Sequence, residues 1–294
     1  MNIPENFTEF LHWIKKETEK TWSGDFCEKW IQGAKWIGMT NNQINEVEKK
    51  YSIQFTPEHR EFLEILHTID RKEIIENKDE WGDEINEYPF FYNWLEDHEE
   101  IKEKLNWPYE TILRDVVGRN GVWLKSWGKK PDSEEEKTKI FTVWYNHSPT
   151  LLPLTSHRFI ISNSNLKYRP ILSIWGSDII IYGWSLRTYL LNELNYHLDI
   201  WTEEYDEEDQ QSYSLLNEEA KKIHDDDYKF DSNKKIPYWE ELILLWNTGW
   251  KSFGLEFPGQ TDSAVYPIMK TYITDDSENN QKVFNDFKNS EKPN

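Results

Sequence analysis

Residues 151–194 read LLPLTSHRFIISNSNLKYRPILSIWGSDIIIYGWSLRTYLLNEL. Four apolar runs of strand length, LLPLT, RFIIS, PILSIW and DIIIYG, are separated by Ser156-His157, by NSNLKYR and by Gly176-Ser177. Runs rich in isoleucine and aromatics, bounded by turn residues, favour extended backbone. The two-residue Gly-Ser connection predicts that PILSIW and DIIIYG pair as an antiparallel hairpin. After Gly183 the segment WSLRTYLLNELNYHL puts Leu186, Tyr189, Leu190 and Leu194 at helical spacing. Extended segments, a tight turn and then an amphipathic helix predict an α+β domain, an antiparallel sheet packed by helices.

Working outward toward the N-terminus, Phe7, Phe10, Leu11 and Ile14 follow Pro4 at helical spacing and predict a helix to about Thr21. In TNNQINEVEKKY, Thr40 and Gln43 have capping-box spacing ahead of Ile44, Val47 and Tyr51. In TPEHREFLEILHTID, Thr56 is the predicted N-cap and Pro57 the first helical residue, where a missing N–H costs nothing. The charged stretch Asp70–Glu87 reads as a surface loop or short irregular helix, and FFYNWLEDHEEIKEKL as a helix with Trp94, His98, Ile101 and Leu105 on one face. Residues 107–131 read as a turn with flanking strand or loop carrying Trp123 and Trp127, and Ser133 with Glu136 caps a helix through Ile140, Val143 and Trp144. Toward the C-terminus, residues 199–236 form a strongly acidic insert, read as solvated loops around a short helix near Leu215–Ile223. IPYWEELILLW predicts a helix opened by Pro237, the segment from GWKSFGLEF to YPIMKTYI one or two strands, and residues beyond Asp275 a polar tail.

Composition limits the function classes. With 54 acidic against 34 basic residues and a net charge of −20, phosphate backbones are repelled, so direct nucleic-acid binding is not expected. The single cysteine, Cys27, excludes an intramolecular disulfide, and the N-terminus lacks the basic and apolar regions of a signal peptide. No apolar run approaches the ~20 residues that span a bilayer, so a cytoplasmic protein is expected. Sixteen tryptophans are far more than usual; most serve a core, and any surplus exposed on one face marks an interface.

Chemical motifs are sparse. There is no GxSxG elbow, glycine-rich phosphate loop or zinc-type Cys/His spacing; His98-Glu99 lacks the second histidine of HExxH, and His59 and His67 are two helical turns apart. Asp225–Asp227 lacks the glycine and terminal glutamate of a calcium loop. The best cluster for chemistry is His157 and Arg158 with Asp178, which a hydrolase-like enzyme would use as a general-base pair.

Several blocks, taken together, resemble the SMI1/KNR4, or SUKH, superfamily. WIQGAKWIGMTNNQINEVEKKYSIQFTPEHREFL is similar to the family's opening, with Thr56-Pro57 and Phe62-Leu63 in the matching places and His59-Arg60 departing from its aromatic neighbourhood. FYNW, WP…DV, VWLKSWGKKP, LLPLTSHRFI, PILSIWGSDIIIYGWSLRTYLLNEL and IPYWEEL follow in the order of a bacterial branch, so the resemblance covers roughly Ile31 to Leu245. It implies a SUKH-like α+β fold, no cofactor and no catalytic residues, and no metal site is expected from the sequence. It also implies a protein-binding role, foremost an intracellular immunity protein that neutralises a cognate toxin, such as a basic nuclease domain. An intracellular regulatory or scaffold protein is the alternative. The expected organisation is an N-terminal helix region (1–30), the α+β domain (31–198), the acidic insert (199–236), a C-terminal helix and extension packing on the core (237–274) and the polar tail (275–294). Trp123, Trp127, Trp175, Asp178 and Tyr182, with the acidic insert, are the expected partner face.

Overall fold

A computed structural model describes residues 3–25, 27–79, 82–118, 121–207, 210–231, 233–245 and 247–253. In chain order the first elements are α1 (Phe7–Trp22), β1 (Trp36–Ile37), α2 (Asn41–Tyr51), α3 (Pro57–Leu66), β2 (Thr68–Ile69), β3 (Lys72–Asp79), β4 (Gly82–Pro89) and α4 (His98–Val117). They are followed by α5 (Glu134–His147), β5 (Thr150–Thr155), β6 (Arg158–Ser162), β7 (Ile171–Trp175), β8 (Asp178–Gly183) and α6 (Leu186–Glu193). The last are β9 (Trp201–Asp206), β10 (Gln211–Leu216), α7 (Glu218–Tyr228), α8 (Trp239–Ile243) and α9 (Asn247–Ser252). The fold is α+β, as the strand–turn–helix pattern predicts. No helix among the described residues is long and apolar enough to cross a membrane.

The chain forms two compact units. One takes residues up to Ile101 together with Leu154–Ser156 and Leu186–Asp227; the other takes Lys102–Pro153, His157–Ser185 and the residues from Tyr228 on.

The strands β5-β6-β7-β8 make a four-stranded sheet in that order, all of it in the second unit except the end of β5, and the expected hairpin pairs antiparallel with Trp175 opposite Asp178. Along β8, Ile179 and Ile181 turn inward while Asp178, Ile180 and Tyr182 face the other way, the two-residue period of a strand with one buried face. Phe159, Ile161, Leu172, Ile174, Ile179 and Ile181 line that inner face. Onto them pack Ile112 and Val116 of α4, Phe141 and Trp144 of α5, and Trp239, Leu242 and Ile243 of α8. Glu241 is buried here, and its carboxylate accepts from the backbone N–H groups of Lys125 and Ser126, so it caps the 3-10 turn Lys125–Trp127.

In the first unit, α1 begins at Asn6, whose side chain accepts from Glu9 N, and it buries Phe10, Leu11, Ile14 and Trp22. The capping box of α2 is present in both directions, Thr40 N to Gln43 Oε1 at 2.8 Å and Gln43 N to Thr40 Oγ1 at 3.3 Å. Gly38 lets β1 approach α3: a Cβ there would sit 1.9 Å from the Glu64 carbonyl oxygen. Trp22, Trp36, Phe90, Phe91 and His197 form a contiguous aromatic cluster with ring centroids 5.5–5.8 Å apart.

Four expectations are corrected. The charged stretch within Asp70–Glu87 forms the β3–β4 hairpin, with Lys72 opposite Pro89. Its charge pattern hides the strands because the hairpin does not depend on a buried face: Ile74 and Ile85 remain exposed. The turn or strand expected from Trp107 is instead the second half of α4. Pro108 lies inside that helix at a cost of about 3 kcal/mol, offset by burial of Ile112 and Val116. Much of the acidic insert 199–236 is ordered as the β9–β10 hairpin and α7. Of the strands expected after Trp246, Gly249–Ser252 are helical, and everything from residue 254, including the polar tail, lies outside the described residues.

Candidate functional site

The end of the β7–β8 hairpin, in the second unit, carries an exposed tryptophan on a rigid support. Gly176, at the first central position of the turn, has φ +62°. This is the left-handed backbone that a type II′ hairpin turn takes and that glycine adopts without a Cβ penalty. A Cβ at Gly176 would also meet the Asp115 carboxylate at 2.4 Å. That carboxylate, on α4, accepts from Ser177 N at 2.7 Å and Ser177 Oγ at 2.8 Å, and so ties the turn to the helix.

Trp175 is 64% exposed, although its flanks are held. The Trp107 ring lies 5.5 Å away, and Trp107 Nε1 donates to the Ile174 carbonyl at 3.2 Å. The His157 ring lies edge-on at 5.9 Å. Lys104 sits over the Trp107 ring at 4.2 Å, one helical turn back along α4. Arg158 stacks over Tyr182 at 3.9 Å and donates to Ser173 Oγ at 2.6 Å and to His157. Cation–π contacts of this kind hold both partners and are worth roughly 0.5–2 kcal/mol each.

The electrostatics weigh against a His–Asp dyad. Burial, then Arg158 and Lys104, lowers the His157 pKa, so the ring is neutral at pH 7. Burial raises that of Asp178. No hydrogen bond joins the two side chains, and it is Trp175 that stands opposite Asp178 in the ladder and edge-on to His157.

Of the five residues expected on the partner face, the hairpin end brings together Trp175, Asp178 and Tyr182. Trp127 is a core residue at 9% exposure, with the rings of Phe141 and Trp144 5.8 and 5.4 Å away. Trp123 is half-buried, edge-on to Trp127 at 5.1 Å, with Nε1 donating to Gly128 O. These two belong to a separate aromatic cluster. Sequence reading missed Lys104 and Trp107, whose i,i+3 spacing on a helix was the available signal; Pro108 masked it. Among the described residues no group of three or more His, Cys, Asp or Glu could hold a metal ion. Comparison with models of known families, with curated proteins and with solved structures finds no match to this chain.

Proposed function

We propose that this chain is a non-enzymatic, cytoplasmic protein-binding module that engages its partner through Trp175. The observation that carries the reading is an indole 64% exposed on a hairpin whose turn is bonded to α4 by Asp115. Large aromatics held in place before binding lose little conformational freedom on association, which is why tryptophan leads among interface hot spots. Trp107 and the Arg158–Tyr182 pair border it and supply further aromatic surface. The net charge of −20 favours a partner with a basic surface, raising the association rate rather than replacing the apolar anchor. With the resemblance to SMI1/KNR4 proteins, this supports an immunity role against a basic toxin domain; a regulatory or scaffold role would use the same face on a different partner.

The test is affinity capture from lysate of the native cells with wild-type and Trp175→Ala protein in parallel. A stoichiometric partner retained by the wild type should bind the variant at least about 30-fold more weakly, the 2 kcal/mol of a hot spot. The variant's folding stability should stay within ~0.5 kcal/mol, as for other exposed positions. Equal retention by both proteins would refute the assignment.

A further inference from the structure

The exposed indole of the β7–β8 hairpin has a charged neighbour. Trp175 and Asp178 stand directly opposite each other in the ladder, on either side of the Gly176-Ser177 turn. Residues paired in this way point to the same face of a sheet, with Cβ atoms roughly 4.5–5.5 Å apart. Both side chains are exposed, at the end of β7 and at the start of β8. Register therefore puts a carboxylate beside the indole, on a turn that Asp115 ties to α4.

What surrounds these two side chains shows what they lack. Two cations of the same patch are seated on neighbouring rings, Lys104 over Trp107 at 4.2 Å and Arg158 over Tyr182 at 3.9 Å. Arg158 is held further by Ser173 Oγ and His157. Trp175 meets the rings of Trp107 and His157 at its flanks, but among the described residues no cation lies over it. The Asp178 carboxylate has neither a hydrogen bond nor an ion pair among the described residues, and burial alone acts on its pKa. In one patch, then, two rings carry a cation, while the exposed third ring has an unused π face beside an uncompensated carboxylate.

A cation placed against both gains from the ring quadrupole and from the carboxylate charge together. Of the basic side chains, arginine fits the pair better than lysine. Its planar guanidinium stacks on an aromatic face and donates a fork of two N–H groups to one carboxylate, whereas an ammonium is a strongly hydrated point charge.

We propose that the Trp175–Asp178 pair receives an arginine side chain of the protein partner, its guanidinium stacked on the indole and donating to the Asp178 carboxylate. This rests on the reading of the hairpin end as the binding face and adds the chemistry of the group bound there. Lys104 and Arg158 would instead favour an acidic segment, so the test includes one.

The isotope-labelled full chain is titrated with N-acetylated Ala-Arg-Ala amide and with its glutamine and glutamate counterparts. The readout is the indole N–H resonance of Trp175, identified by its loss in Trp175→Phe. The arginine peptide should shift that resonance, and the glutamine peptide should bind at least about fivefold more weakly. Asp178→Asn keeps the shape of an exposed side chain and removes its charge, and it should weaken the arginine peptide at least about fivefold. An unmoved Trp175 resonance, equal binding of the glutamine peptide, tighter binding of the glutamate peptide, or affinity unchanged in Asp178→Asn would overturn the proposal. Lysate capture repeated with Asp178→Asn separates this from the reading beneath it. A partner weakened by both Trp175→Ala and Asp178→Asn supports the two together. One weakened by Trp175→Ala alone leaves the binding face standing and overturns the arginine assignment, and equal retention by all three proteins overturns both.

Discussion

His59 lies on α3 with no exposed surface, its ring 4.7 Å edge-on from Phe55, and neither ring nitrogen has a partner among the described residues. Burial, with a smaller contribution from His67, pushes its pKa down to about 3; burial also takes His67, whose Nε2 accepts from Trp94 N at 2.8 Å, down to about 4. Because the folded pKa lies below the unfolded value of 6.5, the unfolded chain binds the proton first as pH drops. The stability tied to His59 is therefore complete above pH 6.5 and is lost progressively toward pH 3. At pH 4.5 the loss from His59 alone is about 3 kcal/mol. Urea unfolding at pH 7.5 and 4.5 should show this drop in the wild type and a drop smaller by about that amount in His59→Leu; equal drops in the two proteins would contradict the account. In sequence, His59 reads as an ordinary helix residue, since periodicity places a side chain on a face without saying how deeply that face is buried. The same limit explains the tryptophans: spacing does not distinguish Trp175, which is exposed, from Trp127, which is core.

At the scale of elements, legibility follows the source of each element's stability. The β7–β8 hairpin was readable because its strands bury one face and its turn needs glycine, and α2 because its cap uses a named pair of side chains. The β3–β4 and β9–β10 hairpins carry little buried apolar surface, so they leave no alternating pattern in the sequence; Tyr205 and Tyr213, for example, stay exposed. Sequence spacing stops α4 short because Pro108 is a breaker, whose cost tertiary packing absorbs. The turn at Gly176 is where sequence and structure agree most closely, and it carries a prediction. Gly176→Ala forces a Cβ onto the Asp115 carboxylate and a left-handed backbone onto alanine, for a cost of roughly 1–3 kcal/mol. The urea midpoint should fall accordingly and partner capture should weaken with it, whereas a wild-type midpoint would mean that the turn is not held as described.

For the molecule as a whole, the α+β class and the order of helices and strands were readable over most of the chain, whereas its division into two compact units was not. That division depends on which distant segments meet: Leu186–Asp227 joins the N-terminal unit although its strand neighbours belong to the other. The proposed partner face is only partly legible in the sequence. Trp175, Asp178 and Tyr182 fall on one strand pair and so come together by register, while Lys104 and Trp107 reach them only through the fold of α4. The proposed function rests on an exposed, preorganised indole on a strongly acidic protein, and its central claim is that the hairpin end contacts a partner. Hydrogen exchange on the captured complex against the free chain tests this directly. The account predicts added protection in Ile171–Gly183 and around Lys104–Trp107; a complex that protects other segments and leaves these unchanged would contradict it.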